Sequence, residues 1–378
     1  MKKIFCMLLI LSVAVSAFSD GWITIGGNAP KTNNSLLNDA LTEAFNGLKK
    51  QLNRELGELN SDVGPTGLFR AFGNASVYSS HGATQRGYGG YKTFAATLGP
   101  SLGLQLPVSP FKIMDLFSGD SSPLDDIFDE GDIKFGLSSQ IINAQIGLNS
   151  SFLLKDLYLG LRIGFTPNLG NDDTIRDLLG DMGGLTISSS NFLIGITANY
   201  QLIQSRSIVG GLIAWRGINL GTGLLFQNTK FNIKYSLDPI RQSLDGAFSN
   251  VSLTATPNLS FDMDVTTFTI PMEVMTAVNL LIFNIPFGVG ADFAFGTSKM
   301  NIGMSSGITI SGDNTIKTTS DGNLTIDAGG KASPNFANLK LMTGLGLSIG
   351  PVIAVDIPIT WYFVDNGFNI GLSVGVAF

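Results

Sequence analysis

The chain contains few residues that could perform nucleophilic or acid–base chemistry. Its one histidine, His81, directly follows Ser79 and Ser80. A serine nucleophile requires an imidazole that a carboxylate holds and orients, and no acid lies near His81 in the sequence. We therefore interpret His81 as a loop histidine, and we predict that the chain is not an enzyme and uses no cofactor.

An acidic patch is the second candidate site. Carboxylates are the ligands that hard cations such as Ca²⁺ prefer, so this patch could bind a cation, although its spacing differs from that of an EF-hand loop. A solvated outer loop is the alternative interpretation. The acids of the patch are Asp125, Asp126, Asp129, Glu130 and Asp132. With one histidine and one cysteine in the chain, we predict no metal centre built from those ligands.

The N-terminus has the pattern of an export signal. Two lysines precede an apolar run from Ile4 to Val15, and small residues follow at a possible cleavage site. We assign residues 1–19 to this signal. Because Cys6 lies within it, the exported chain would contain no cysteine and no disulfide.

Composition narrows the class of protein further. Charged residues make up 14% of the chain, against about 25% in an average soluble domain. After the signal, the most hydrophobic stretch, residues 277–295, contains two asparagines, a proline and an aspartate, so helical membrane spans are not predicted. The formal net charge of −6 argues against nucleic acid as a partner, because binding to phosphates requires clustered lysine and arginine.

The last residues of the chain alternate strictly in polarity. Every second residue from Phe368 to Phe378 is apolar, and the residues between them are small or polar. Such alternation is typical of a membrane-spanning β-strand that faces lipid on one side and a lumen on the other. This end resembles the C-terminal signature of bacterial outer-membrane β-barrels. The resemblance implies that Phe368 and Phe378 belong to an assembly signal, that the barrel-assembly machinery and outer-membrane lipids are partners, and that the chain lies in the outer membrane.

The same period of two recurs from Tyr91 onward. A soluble β-sandwich would also alternate, but its outward face would be charged, whereas here the polar face consists of Gly, Ser, Thr and Asn. Since only helices and closed sheets satisfy the backbone in lipid, we predict that residues 91–378 form an antiparallel transmembrane β-barrel of about 12 to 14 strands.

Residues 20–90 differ from the rest. Leucine and phenylalanine recur between Leu37 and Leu59 at spacings of three and four, which predicts an amphipathic helix capped by Asn34 or Ser35. A helix packed on or in the barrel mouth, a periplasmic coiled coil and an interfacial membrane helix remain open. We predict that the following residues thread back to the barrel, with a short strand at Leu68–Val77.

Two functional classes fit these features. A barrel behind a plug-like N-terminal segment resembles FadL-type long-chain fatty-acid transporters, and Gly27–Pro30 resembles, in changed order, an Asn-Pro-Ala element of that family. The resemblance implies a passive transporter or narrow channel for small or hydrophobic solutes, with a hydrophobic small molecule as partner. The alternative is a structural or adhesive surface barrel, with a long exposed loop at Met300–Asn335. Charged residues predicted to line a lumen are Arg162, Glu273, Asp292, Lys340 and Asp356.

Overall fold

A computed structural model describes most of the chain. The residues that it describes are 24–59, 65–80, 93–106, 135–167, 185–210, 212–236, 239–243, 251–311, 318–349 and 352–377. The predicted signal, residues 1–19, lies outside these ranges, as do His81, the acidic patch and Phe378.

The regular elements of the described chain are two α-helices, one short 3-10 helix (Val364–Asn366) and eighteen strands. The helices are α1 (Ser35–Leu59) and α2 (Pro65–Ser79). The strands are β1 (Thr24–Asn28), β2 (Lys31–Thr32), β3 (Phe94–Gln105), β4 (Gly136–Asn149), β5 (Leu157–Thr166), β6 (Leu185–Ile203), β7 (Arg206–Val209), β8 (Ile213–Trp215), β9 (Ile218–Ser236), β10 (Ile240–Ser243), β11 (Ser252–Leu280), β12 (Phe283–Ser311), β13 (Thr318–Ser320), β14 (Gly322–Ala332), β15 (Ala337–Ile349), β16 (Ile353–Tyr362), β17 (Gly367–Gly371) and β18 (Ser373–Ala377).

The large sheet closes on itself. Within the described residues, β3 pairs with β4, and antiparallel pairing continues through β5, β6, β9, β11, β12, β15 and β16. The C-terminal strands β17 and β18 pair with β16 on one side and with β3 on the other, which completes a ring of ten strands if these two segments are counted as one. Closure leaves no exposed sheet edge in the ring, so every strand finds backbone partners on both sides.

The alternation seen in the sequence defines the two faces of the ring. On the last strand, Ile370, Leu372, Val374 and Val376 are exposed, whereas Asn369 and Ser373 are buried inside. The outward apolar side chains of the other ring strands are exposed in the same way, so a hydrophobic belt surrounds a polar interior. A β-sandwich would bury those side chains. The predicted outer-membrane β-barrel is therefore confirmed.

The sheet is larger than its closed ring. Fourteen strands follow one another along the sheet, in agreement with the predicted 12 to 14, but the ring itself uses ten of them. Two of the four strands outside the ring, β7 and β8, attach at the C-terminal end of β11. The other two are present because β11 and β12, of 29 residues each, continue past the ring at the opposite end. There they pair with β9, β10 and β14, and β14 pairs with β1. Much of Met300–Asn335, predicted as an exposed loop, is thus strand, since its hydrophobic side chains pack on one face.

The two ends of the barrel differ in their connections. At one end, which we call the short-turn end, lie the turn between β11 and β12, the residues between β4 and β5, and the end of β18. At the opposite, long-loop end, β3 and β4 are joined through residues 106–135, and β5 and β6 through residues 167–184. Strands β11 and β12 extend beyond the ring at the long-loop end, where β1 also lies.

Helix α1 packs against the inner face of this extension. Asn34 caps it, because its side-chain oxygen accepts a hydrogen bond from the Leu37 backbone N–H at 3.3 Å. The buried side of α1, which includes Leu37, Leu41 and Phe45, contacts apolar residues of β12 and β14. Within the described part of the chain, α1 thus contacts strands of the extension, and its predicted location on or in the barrel mouth stays a prediction. In the described residues, neither helix is long and apolar enough to cross a membrane.

Helix α2 lies inside the barrel. The strand predicted at Leu68–Val77 is wrong, because this segment forms α2, whose side chains contact the inner faces of strands on all sides of the ring. A strand there would leave its edges unpaired inside the lumen, while a helix satisfies its own backbone. The chain enters the lumen from the long-loop end, and β3 then begins at the short-turn end.

The exposed belt predicts a sharp contrast between two outward-facing positions of β12. Val289 lies in the middle of the belt, and Ser305 lies on the extension beyond it. A lysine at a lipid-facing midplane position costs about 2–4 kcal/mol, while the cost falls to about 0–1 kcal/mol near the interface. We expect V289K to lower the free energy of unfolding by that larger amount and S305K to change it little, measured by denaturant titration in lipid vesicles. Equal effects of the two substitutions would contradict a lipid-facing belt.

Candidate functional site: the barrel lumen and its internal helix

The first half of α2 is held by apolar contacts. Leu68, Phe69 and Phe72 are buried in a cluster with inward-facing side chains of β11, β12 and β14, close to the long-loop end. The ring of Phe72 also meets that of Phe135 edge to face, with centroids 6.4 Å apart. Burial of such side chains stabilises by about 1.5–3 kcal/mol each. This end of α2 is therefore anchored by the hydrophobic effect.

Asn74 joins α2 to two parts of the wall. Its side-chain oxygen accepts a hydrogen bond from the backbone N–H of Asn335 at 2.7 Å, and its side-chain nitrogen donates to Gln105 Oε1 at 2.8 Å. Asn335 belongs to residues 333–336, which separate β14 from β15 along β12. The unpaired backbone at this strand break is thus satisfied by the internal helix.

The second half of α2 meets the wall through hydroxyl and amide groups. Ser76 Oγ lies 3.4 Å from Thr229 Oγ1 and 3.3 Å from Thr267 Oγ1. Ser79 Oγ lies 2.9 Å from Ser138 Oγ and accepts a hydrogen bond from Gln227 Nε2 at 2.9 Å. All six residues are buried. On the side of α2 that carries Ser76 and Ser79, contact with the wall is thus polar.

Arg162 holds the C-terminal end of α2. One guanidinium nitrogen donates to the Ser80 backbone carbonyl at 2.9 Å, and another donates to Gln145 Oε1 at 2.7 Å. The last carbonyls of a helix lack partners within the helix and carry a partial negative charge. An arginine at this position therefore satisfies an unpaired carbonyl and complements its charge.

Glycines let the helix approach the wall closely. A Cβ atom at Gly103 would lie 2.3 Å from the Ala75 carbonyl oxygen, and one at Gly136 would lie 2.1 Å from the Ala71 carbonyl oxygen. Both contacts are with helix backbone, which cannot move aside alone. Strands β3 and β4 therefore need glycine where α2 rests on them.

An aromatic pair lies at the opposite side of the lumen. The rings of Tyr78 on α2 and Tyr362 on β16 are stacked, with centroids 3.9 Å apart and an interplanar angle of 21°. Both residues are fully buried. The Tyr78 hydroxyl also donates to Asn338 Oδ1 at 3.5 Å. This stack fixes the rotation of α2 about its axis.

An ion cluster links three neighbouring strands of the wall. Lys340 Nζ on β15 lies 2.5 Å from Glu273 Oε1 on β11 and 2.7 Å from Asp292 Oδ1 on β12. The side chains of Lys340 and Asp292 are 0% exposed, and that of Glu273 is 19% exposed. Gly290 lies directly opposite Lys340 and Glu273 in the pairing, which leaves room for the lysine to reach both acids.

All five residues predicted to line the lumen face inward. The structure brings Lys340, Glu273 and Asp292 together, whereas Arg162 contacts the end of α2, and Asp356 is buried on β16. Their inward position follows from the alternation. That they line a route for solutes stays a prediction. Phe368 lies on the outward face of β17, opposite Trp361, and its role in assembly also stays a prediction.

The contacts of α2 were not foreseen. The Gly-, Ser- and Asn-rich composition of the α2 segment could have indicated them, since small polar residues suit a helix packed closely against a polar wall. The glycines at positions 103 and 136 also indicate that another part of the chain approaches the wall closely there. Asn74 and Ser76 had no such signal individually, because their partners lie far away in the sequence. In the described residues, no three His, Cys, Asp or Glu side chains lie close enough together to hold a metal ion.

A closed ring with a lipid-facing belt, a polar lumen and an internal helix defines the class of outer-membrane β-barrel proteins. Within that class, the sequence model of the Lsa36-like family matches residues 22–378, so the chain belongs to the Lsa36-like family. No curated protein matches the sequence.

Several solved barrels resemble the structure in outline. The toluene transporter TbuX of Ralstonia pickettii is 9% identical, with 76% of this chain and 90% of that chain covered and a TM-score of 0.25. The translocator domain of the autotransporter NalP of Neisseria meningitidis is 7% identical, with 77% and 88% covered and a TM-score of 0.25. A FadL homologue of Pseudomonas aeruginosa is 10% identical, with 82% and 95% covered and a TM-score of 0.22. Similarities of this extent carry no argument about function.

The ion cluster predicts a large effect of removing its lysine. Removing one partner of a buried ion pair leaves an uncompensated charge, which costs about 3–5 kcal/mol. We expect K340M to lower the free energy of unfolding by that amount, measured by denaturant titration in lipid vesicles. The triple variant K340M/E273Q/D292N removes all three charges and should recover part of the loss. As a control, K155M on an exposed turn should be nearly neutral. A neutral K340M would show that the cluster does not stabilise the wall.

Proposed function

We propose that this protein is a passive outer-membrane transporter or narrow channel for small solutes, and that α2 holds it closed. The observation that supports this proposal most strongly is the polar contact between the second half of α2 and the wall. Ser76 and Ser79 meet threonine, serine and glutamine there, rather than apolar side chains.

The energetics of such a contact favour a movable plug. A hydrogen bond within a protein contributes only about 0.5–1.5 kcal/mol net, because water replaces it when it breaks. Water entering the lumen can therefore solvate Ser79, Ser138 and Gln227 at small cost. Moving the apolar half of α2 would instead expose Phe69 and Phe72 to water. We infer that the second half of α2 moves away from the wall, which also breaks the Tyr78–Tyr362 stack, while the apolar first half stays anchored.

The side chains of the inner wall favour one class of solute. Its buried side chains facing the lumen are mostly amides and hydroxyls, with few charges. Barrels of 16–18 strands leave an aqueous channel, whereas about eight strands leave space only for side chains or one small ligand. A ring of ten strands therefore suits small solutes that form hydrogen bonds. A hydrophobic small molecule as partner stays a prediction, as does the expectation that the chain is not an enzyme.

The ends of the barrel give an orientation in the membrane. In outer-membrane barrels, short turns face the periplasm and longer loops face the outside. With this orientation the long-loop end lies at the cell surface, together with α1 and β1. The chain would then pass through its own barrel, from α1 outside, through α2, to the start of β3 at the periplasmic end.

A structural or adhesive surface barrel is the second candidate function. The extension of β11 and β12 beyond the ring supports it, because this sheet and α1 would form a folded surface outside the membrane. Such a role requires no movement of α2. Conductance therefore separates the two functions.

A reversible lock on α2 tests the transport proposal. Ser79 Oγ and Ser138 Oγ are 2.9 Å apart, so cysteines there are placed to form a disulfide. The exported chain has no other cysteine once the predicted signal is removed. In planar bilayers we expect oxidised S79C/S138C to conduct no ions, the reduced form to regain the wild-type current, and deletion of residues 20–90 to give a larger and steadier current.

The single variant S79C under the same oxidant is the matched control, and it should conduct like wild type. If wild type, reduced S79C/S138C and the deletion variant all fail to conduct while circular dichroism shows a folded barrel, the channel proposal is wrong. The structural function would then be favoured.

Surface labelling of intact cells tests the orientation. Thr42 is exposed on α1, and Ser151 is exposed between β4 and β5 at the short-turn end. We expect a membrane-impermeant maleimide to label T42C on intact cells and S151C only after the outer membrane is permeabilised. Labelling of S151C alone on intact cells would invert the proposed orientation.

A further inference from the structure

The outward face of the barrel changes character abruptly at one level. Directly paired residues of four adjacent strands form an apolar row around the ring, which we call the phenylalanine row. Its members are Ile194, Phe226, Phe268 and Phe295. Aromatic side chains commonly mark the boundary between the hydrocarbon and the headgroups in membrane barrels. Beyond this row, toward the long-loop end, the outward residues of the same strands are polar, charged or glycine, apart from Phe192 on β6.

Four residues further along each strand lies a second row of directly paired residues, which we call the lysine row. It contains Ser190, Lys230, Asp264, Lys299 and, on β14, Lys331. Four residues span about 13 Å along a strand, or about 10 Å along the membrane normal at the usual strand tilt. The lysine row thus lies at the depth of lipid headgroups, just outside the hydrocarbon.

Two of its lysines are placed unfavourably for the isolated protein. Lys299 and Lys331 lie directly opposite each other on antiparallel strands, and both are exposed. Like charges in this arrangement repel. Within the described residues, neither lysine forms an ion pair or a hydrogen bond through its side chain. An anion between the two ammonium groups would remove the repulsion.

Two of the acids on this face accept hydrogen bonds from amides of the neighbouring strand, and a third, Asp327, is exposed on β14 four residues from Lys331. Asp264 accepts a hydrogen bond from Asn228 Nδ2 at 3.0 Å, and Asp262 accepts one from Asn232 Nδ2. Asp264 lies between Lys230 and Lys299 and offsets part of their charge. The row still has two more positive charges than negative ones, with three lysines against one aspartate.

The same face is concave. A groove of about 460 Å³ lies over these strands. Its lining contains two lysines, Lys230 and Lys299, two aspartates, Asp262 and Asp264, and several hydroxyl and amide side chains. The hydroxyl and amide groups include Ser188, Ser190, Asn232 and Asn301. Donors of these kinds bind phosphate oxygens. The groove therefore has the size and chemistry for a headgroup rather than for an acyl chain.

From these observations we propose that the lysine row binds the phosphate of an anionic lipid headgroup in the leaflet at the long-loop end, with Lys299 and Lys331 as its main ligands. The phenylalanine row contacts the acyl chains of the same lipid. A free phosphate ion shares the headgroup chemistry but would gain nothing from the adjacent apolar row, so we assign the site to a lipid. This inference does not depend on transport through the lumen.

Spin-labelled lipids provide the test. The full exported chain is reconstituted in phosphatidylcholine vesicles containing traces of spin-labelled phosphatidylglycerol or spin-labelled phosphatidylcholine. Electron spin resonance then gives the affinity of the protein for each labelled lipid. We expect wild type to prefer phosphatidylglycerol, and K299Q/K331Q to lose about 5-fold of that preference for each lysine, because a lysine near an anionic surface contributes about 1 kcal/mol.

K155Q is the matched control, because Lys155 is also exposed but lies at the short-turn end. It should keep the wild-type preference. An unchanged preference in K299Q/K331Q would overturn the proposal. In a second arm without lipid, inorganic phosphate is added to the detergent-solubilised protein. If phosphate alone raised the melting temperature of wild type but not of K299Q/K331Q, and no lipid preference were found, the site would belong to free phosphate and the lipid assignment would be wrong.

Discussion

The structure depends on one constraint, which is that a backbone in lipid must form all its hydrogen bonds within the protein. The chain meets it by closing its sheet, with β17 and β18 between β16 and β3. Closure creates an interior, and a ring of ten strands is too wide to be filled by side chains from its own wall alone. Helix α2 occupies that interior. It also supplies, through Asn74, a hydrogen-bond partner for the break between β14 and β15. The membrane constraint thus leads from the strand pairing to the internal helix.

The interior of this barrel is held in two different ways. Near the long-loop end, an apolar cluster of α2 and the wall behaves like a small soluble core. Further along α2, hydroxyl, amide and guanidinium groups form most of the contacts, beside the Tyr78–Tyr362 stack. The first kind of contact is lost only at a large cost in exposed apolar area, while the second exchanges readily with water. One helix therefore meets the wall through an apolar cluster at one end and through mainly polar contacts at the other.

The residues on the outer face indicate where the barrel meets the membrane. The phenylalanine row and the lysine row lie four residues apart on the same strands, so the transition from lipid-facing to solvent-facing surface takes place over roughly one headgroup layer. Beyond it, the extended strands β11 and β12 keep an apolar inner face that α1 covers. Without α1, this part of the sheet would present its hydrophobic side chains to water. The apolar side of α1 from Leu37 to Phe45 thus matches the apolar inner face of the strands that it covers.

Much of the fold could be predicted because alternation is a local property. Each strand shows its lipid face and its lumen face in its own residues, and this placed Lys340, Glu273, Asp292, Arg162 and Asp356 inside before any pairing was known. The helix α1 was equally visible in its spacing of leucines. The segment of α2 was predicted as a strand, because its apolar and small residues fit either period over so short a length. The segment is helical because it lies inside a lumen formed by strands that come later in the sequence.

By itself, the sequence determined that the chain exposes a hydrophobic belt and encloses a polar interior, since both follow from residues one or two positions apart. Only the tertiary structure decided which polar groups meet. Ser79 finds Ser138 and Gln227 across separations of 59 and 148 residues, and Lys340 joins acids from two other strands. Those contacts depend on the register of every intervening strand pair and on where the ring closes. No local sequence pattern carries that information, because a polar residue on the inner face can pair with any other polar residue that closure brings near.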